Sequence, residues 1–127
     1  MIQKGSSLRV IDNSGAKKAN CIHVYNGYRK RYANLGDMIK VSIKKVRKGD
    51  PELLKVKKGT MSKAVVINVK NLSFQFDGLL KRTPANCIVL ISDQNKYVGT
   101  RVFSGVDYTL RKSKYLKLLS MGGGIIY

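Results

Sequence analysis

Tryptophan is absent from this chain, histidine occurs once, cysteine twice, and only seven residues carry a carboxylate. Each shortage closes off a class of function. A metal-dependent nuclease gathers carboxylates around its ions, and other hydrolases hold a base within reach of a nucleophile. Seven acids scattered over 127 residues, with a single histidine, supply neither pattern, so no catalytic residue is assigned and no enzyme is expected. Two cysteines and one histidine cannot by themselves close a four-ligand zinc site, and there is no Cys-x-x-Cys. Strict strand alternation puts Cys21 and His23 on one face, enough for a two-ligand fragment; the alternative is a core thiol at Cys87 and a partly buried one at Cys21. No cofactor and no metal site is expected. A free binder of single-stranded nucleic acid relies on several exposed rings, and without tryptophan Tyr28 is the one strong stacking candidate. The longest strongly apolar stretch, Ile88-Val89-Leu90-Ile91, falls far short of the roughly 20 residues of a membrane helix, so no span is expected. Patterned sequence starts by Leu8, and we expect a cleavable presequence to be absent or already removed.

What is abundant is positive charge. Lys and Arg number 25 against 7 Asp and Glu, a net charge of +18 spread from Lys4 to Lys117. Compaction brings these charges together, and their repulsion opposes folding in free solution. The balance therefore points to a polyanion that supplies counter-charge, bound with strong salt dependence because each neutralised phosphate releases counterions. Hydrophobic residues make up 43% and come in patterned runs, which suits one folded domain over 1–127.

The dominant period is two. Ile39, Val41 and Ile43 alternate with Lys40, Ser42 and Lys44, as in a half-buried strand with a basic outer face. Ala64 to Val69 is rich in β-branched residues, and Ile88 to Ile91 reads as a more fully buried strand. Turn signals at Asn13-Ser14-Gly15, Asn26-Gly27, Asn34 to Asp37, Gly49-Asp50-Pro51, Lys58-Gly59, Asp77-Gly78 and Asp93 to Asn95 separate short strands. This spacing predicts a mainly β fold, a small closed barrel, with Asp77-Gly78 after Phe74 and Phe76 as a hairpin tip. From about 107 to 120 two short helical turns are expected. Asp107 and Ser113 would cap them, and Leu110, Leu116 and Leu119 would pack inward. Gly122-Gly123-Gly124 makes a tail that is flexible by composition, with Ile125, Ile126 and Tyr127 able to dock.

The cations fall into groups. An Asp12-Asn13-Ser14-Gly15 turn can fix its own backbone through side-chain hydrogen bonds and aim Lys17 and Lys18 outward. Tyr28-Arg29-Lys30-Arg31-Tyr32 interleaves rings with cations, where bases or riboses can stack while guanidinium groups bridge phosphates, although Tyr32 can equally belong to the core. Lys44, Lys45, Arg47 and Lys48, then Lys55, Lys57 and Lys58, flank a loop and form a second basic patch.

Asp12 to Lys18, Cys21-Ile22, Val24, Arg31-Tyr32-Ala33, Gly36-Asp37, Lys55 to Gly59, Lys63 to Val66, Asp77-Gly78, Asn86 and Gly99-Thr100-Arg101-Val102-Phe103 occur in an order that closely resembles the ribosomal protein uL14 family of the large subunit. The resemblance runs from Met1 to about Ser120. It implies a five-stranded β-barrel with a projecting hairpin and short C-terminal helices, binding large-subunit rRNA and lying at the intersubunit interface. It also implies protein neighbours of uL3-like and bL19-like type. Thr100, Arg101 and Lys117 match the family's exposed face that meets small-subunit rRNA or an RsfS-type silencing factor. Otherwise Arg101 simply pairs with a carboxylate at the barrel rim.

Several positions depart from the family's pattern. The arm, commonly basic and ending Arg-Pro-Asp-Gly, here reads Asn71-Leu72-Ser73-Phe74-Gln75-Phe76-Asp77-Gly78, so a protein contact through Phe74 and Phe76 is expected in place of phosphates. His23 stands where Lys or Arg is usual, the segment from Asp50 to Leu54 looks modified, and the C-terminus is altered. Together with a Lys-, Ile-, Asn- and Tyr-rich composition, these departures suggest a mitochondrial ribosome, with a plastid or an AT-rich bacterium as the alternatives.

Overall fold

A computed structural model describes residues 1–74, 78–112 and 114–127. Five strands close a barrel: β1 (Ser7–Val10), β2 (Ala16–Val24), β3 (Met38–Val46), β4 (Met61–Asn68) and, after a two-stranded arm of β5 (Ser73–Phe74) and β6 (Leu80–Lys81), β7 (Cys87–Ile91). Successive barrel strands run antiparallel, and β1 meets β7 in parallel through Arg9↔Cys87 and Val10↔Ile88 to complete the ring. The expected barrel and arm are therefore present. Phe76 and Asp77 of the arm, and the cap expected at Ser113, lie outside the described residues.

Alternation decides what fills the barrel. Ile39, Val41 and Ile43 of β3 join Leu8, Val10, Ala19, Ala64, Val66, Ile88 and Leu90 in one fully covered core. The opposite faces of β4 and β7 are not solvated. Val65, Ile67, Val89 and Ile91 pack under Val102, Val106, Leu110 and Leu118 of the C-terminal segment. Strands buried on both faces have no polar positions to alternate with, which explains why these two read as continuous apolar runs.

That covering layer consists of β8 (Val106–Asp107), a 3₁₀ turn over Tyr108–Lys112, the helix α1 (Leu116–Met121) and β9 (Ile125–Ile126). Asp107 caps the 3₁₀ turn as expected, its carboxylate accepting from Thr109 N at 3.0 Å. The inward residue of α1 is Leu118, not Leu116. Leu116 is 60% exposed because one turn and a half of helix turns only one side to the sheet. Of the two possibilities for the tail, docking is the one adopted: β9 pairs in parallel with β8, and Tyr127 stacks on Tyr108 at 5.4 Å.

Lys81, at the base of the arm, is the one buried lysine among the described residues. Its ammonium lies 2.9 Å from Asp107 and donates to Ile126 O at 2.7 Å. Arm, cap and tail thus meet at a single cation.

Candidate nucleic-acid interface

The turn from Asp12 to Gly15 organises the candidate interface. Asp12 is fully buried; its carboxylate accepts from Ser14 N at 3.0 Å and from the Ser14 hydroxyl, and on its other oxygen from Leu90 N at 2.9 Å. Gly15 takes φ +99°, which a side chain would strain. The carbonyls of Ser14 and Gly15 accept from Lys55 N at 3.1 Å and Arg47 N at 2.8 Å, so the turn is tied to both flanks of the β3–β4 loop.

Immediately after this turn β2 is irregular. Its register with β3 slips between Ala16 and Lys18, again between Lys18 and Ala19, and a third time between Cys21 and His23. A bulge adds a residue without reversing the side-chain sense. Lys17 and Lys18, neighbours that a regular strand would send to opposite faces, are consequently both exposed. The same device corrects the reading of Cys21 and His23. Cys21 is buried, whereas Ile22 and His23 both face outward, so the two residues do not share a face and form no ligand pair. The Cys21 and Cys87 thiols are free and buried, and burial pushes both above the ordinary thiol range. Among the described residues no group of three or more His, Cys, Asp or Glu could hold a metal ion.

On the outer barrel surface cations face cations. Arg9 of β1 lies opposite Lys18 of β2, Lys18 lies opposite Lys45 of β3, and all three are exposed. Lys40 and Lys63 are likewise opposite each other. Directly opposed like charges destabilise a sheet, yet here they run as a row across three strands. Beside the row Lys17, Lys44, Lys45, Arg47, Lys48 and Lys58 line, with Val46, a concavity of about 700 Å³ that contains no acidic residue. The two basic groups read separately in the sequence are thus one surface. Lys57 turns to a neighbouring depression that it shares with Lys55, Thr60, Asp93 and Val98. Arg9 was not singled out by the sequence, because its role depends on register with a strand beyond the turn.

Arg29, Lys30 and Arg31 lie elsewhere, on the loop joining β2 to β3 at the end of the barrel opposite the concavity, a nine-residue strand or about 26 Å away. Lys30 is committed to Asp37 at 2.7 Å, whereas Arg29 and Arg31 are exposed. Tyr32 is 41% exposed and takes no place in the core.

A third surface gathers Thr100 and Lys117 around one depression with Asn95, Lys96, Tyr97, Gly99 and Met121, and Arg101 follows exposed at its edge. Asn13 builds it from across the chain: its amide donates to Thr100 Oγ1 at 2.7 Å and its carbonyl accepts from Thr100 N at 2.7 Å. The approach is so close that a Cβ on Gly99 would lie 2.8 Å from Asn13 Oδ1. Burial and neighbouring Tyr115 push the Tyr97 phenol upward, keeping it a neutral wall. Among the described residues the ion pairs are Lys30–Asp37 and Lys81–Asp107, so Arg101 pairs with no carboxylate among them. Lys96 is an addition from the structure; the Asp93 to Asn95 turn before it was the available signal. On the arm, Leu72, Phe74, Leu79 and Leu80 are all exposed, and Phe74 lines a groove of about 560 Å³ with Met1, Leu35, Val69 and Leu72.

A closed five-stranded barrel with cation rows on its outer strands and a helical cap on its other side defines a class, the small and strongly basic β-barrel proteins. Within it the chain belongs to the family of ribosomal protein L14p/L23e, whose family model matches residues 1–126. It is accordingly a structural protein of the large ribosomal subunit, from a family that is typically non-enzymatic, and membership implies rRNA and other ribosomal proteins as partners. No helix among the described residues is long and apolar enough to cross a membrane.

Proposed function

We propose that the chain anchors large-subunit rRNA through the row Arg9, Lys18, Lys45 and the adjoining concavity of Lys17, Lys44 and Lys58, with Lys57 beside it and Arg29 and Arg31 holding a second stretch of backbone, while Lys30, paired with Asp37, steadies their loop. The observation that carries this reading is the row itself. Opposed cations on three neighbouring strands cost stability unless a polyanion lies across them. Phosphates spaced along a backbone match such a row, and neutralising them releases counterions.

The remaining surfaces take complementary roles in this reading. Thr100 and Arg101, held by Asn13, and Lys117 on α1 form the face toward small-subunit rRNA or a silencing factor of RsfS type, in support of which Arg101 and Lys117 carry exposed charge. The arm, with Phe74 and Phe76, meets a protein neighbour of the uL3-like or bL19-like kind. Its four exposed apolar side chains offer phosphates nothing and offer a protein a dry contact. The ribosome in question is mitochondrial, a reading that rests on composition and on the apolar arm.

The test is sedimentation of the tagged chain from lysate at low magnesium, with and without RNase. Co-migration with the large subunit, lost after RNase and lost in a variant carrying Arg9→Glu, Lys18→Glu and Lys45→Glu, is the expected result. Migration as a small free species overturns it. For the arm, Phe74→Lys with Phe76→Lys should reduce incorporation while leaving the barrel folded; unchanged incorporation removes the protein contact.

A further inference from the structure

From the β2–β3 loop we infer a second mode of RNA contact, a clamp for one unpaired nucleobase formed by Tyr28 and Arg29; the inference rests on the rRNA-binding reading above. Tyr28 is 91% exposed, the most exposed aromatic ring in the described chain. The Arg29 guanidinium carbon lies 5.4 Å from its centroid. The cation stands over one side of a ring that is otherwise open to solvent. A nucleobase on the open face completes a stack of base, phenol and guanidinium, in which the cation is positioned to reach the flanking phosphate.

The loop holds this pair in a defined shape. Asn26 and Arg29 both adopt positive φ, 67° and 54°; asparagine enters this region readily in a turn, whereas arginine does so only when the surroundings hold it there. The surroundings are visible. Lys30 is bound to Asp37 at 2.7 Å, the same carboxylate accepts from Asn34 N at 2.8 Å, and Tyr25 N donates to Met38 O at 3.1 Å. Ala33 is pinned on the other side by paired backbone bonds to Ile2 of 2.9 and 2.7 Å. An aromatic ring kept in water on a rigid support loses little entropy when a base arrives. The ligand class follows from the chemistry: bases inside an A-form helix have no free face, so the clamp takes an unstacked base from a loop or bulge. Its role differs from that of the cation row, which reads only backbone.

The full-length protein is titrated with a single-stranded oligoribonucleotide carrying a fluorescent adenine analogue, and with an RNA duplex of the same length, over a series of salt concentrations. Wild type should quench the analogue and bind the single strand. Tyr28→Ala should lose quenching and roughly tenfold in single-strand affinity, with the salt slope and duplex binding unchanged, and Tyr28→Phe should behave as wild type. Unaltered quenching and affinity in Tyr28→Ala, with salt dependence intact, overturns the clamp and leaves the phosphate reading standing. Failure of the wild type to bind either RNA overturns both.

Discussion

Lys81 and Lys18 are the same residue used in opposite ways. Lys81 is buried, contacts Asp107 at 2.9 Å and Ile126 O at 2.7 Å, and joins three segments of one chain. Lys18 is exposed, flanked in register by Arg9 and Lys45, and faces outward with like charges on both sides. With 25 cations and 7 acids, carboxylates are the scarce partner, and where they sit sorts the lysines. Asp107 and Asp37 turn Lys81 and Lys30 into parts of the fold. The cations of the row and concavity form no ion pair among the described residues and, in the proposed reading, are left for RNA.

The comparison breaks most sharply at Lys81. Lys81→Met leaves Asp107 buried without its counter-ion, and should lower unfolding free energy by about 3–5 kcal/mol in urea titrations. A smaller loss sharpens the point. Lys81→Met combined with Asp107→Ser removes both charges and keeps a capping hydroxyl, and should cost only about 1–2 kcal/mol, the hydrogen bonds to Ile126 and from Thr109 Oγ1 being the remaining loss. Lys18→Gln or Lys45→Gln should alter stability of the free protein by no more than about 0.5 kcal/mol, with any shift toward greater stability. The same substitutions should lower the salt slope of RNA binding by about one each.

The smallest effect fixes the background. Because burial raises the Cys21 and Cys87 thiols, the folded chain keeps these protons when the unfolded chain releases them. Their contribution is complete below pH 9.0, the ordinary thiol value, and declines above it. The decline should be reduced in Cys21→Ala with Cys87→Ala, measured as urea midpoints across pH and compared with Lys18→Gln, which should retain it.

Local periodicity made the strands legible. Alternation in β3, continuous apolar runs in β4 and β7, and the turn residues between them are consequences of burial on one face or two, and such patterns are written in adjacent residues. The bulges in β2 were not legible. The outward aim of both Lys17 and Lys18 was read from the turn before them, but nothing within Ala16 to Val24 announces the register slips themselves or that Cys21 and His23 point apart; the slips appear only in the pairing with β3. The site divided in the same manner. Lys17, Lys44 and Lys58 stood out by charge, but their union into one concavity, the place of Arg9 in the row and the grip of Asn13 on Thr100, 87 residues away, are products of tertiary register. Leu118 replaced Leu116 for a related reason, since a six-residue helix is too short for its pattern to choose a face.

The parallel meeting of β1 with β7 sets an order in time. During synthesis the first strand, with Asp12 behind it, leaves the ribosome long before Cys87 to Ile91 exist, and Asp12 lacks the Leu90 amide that secures one of its oxygens. Until then the ring has an open seam, and the turn rests on its bonds to Ser14, Arg47 and Lys55 alone. Closure of the barrel therefore completes the turn from afar: the last barrel strand to be made supplies the amide that one of the first buried carboxylates waits for.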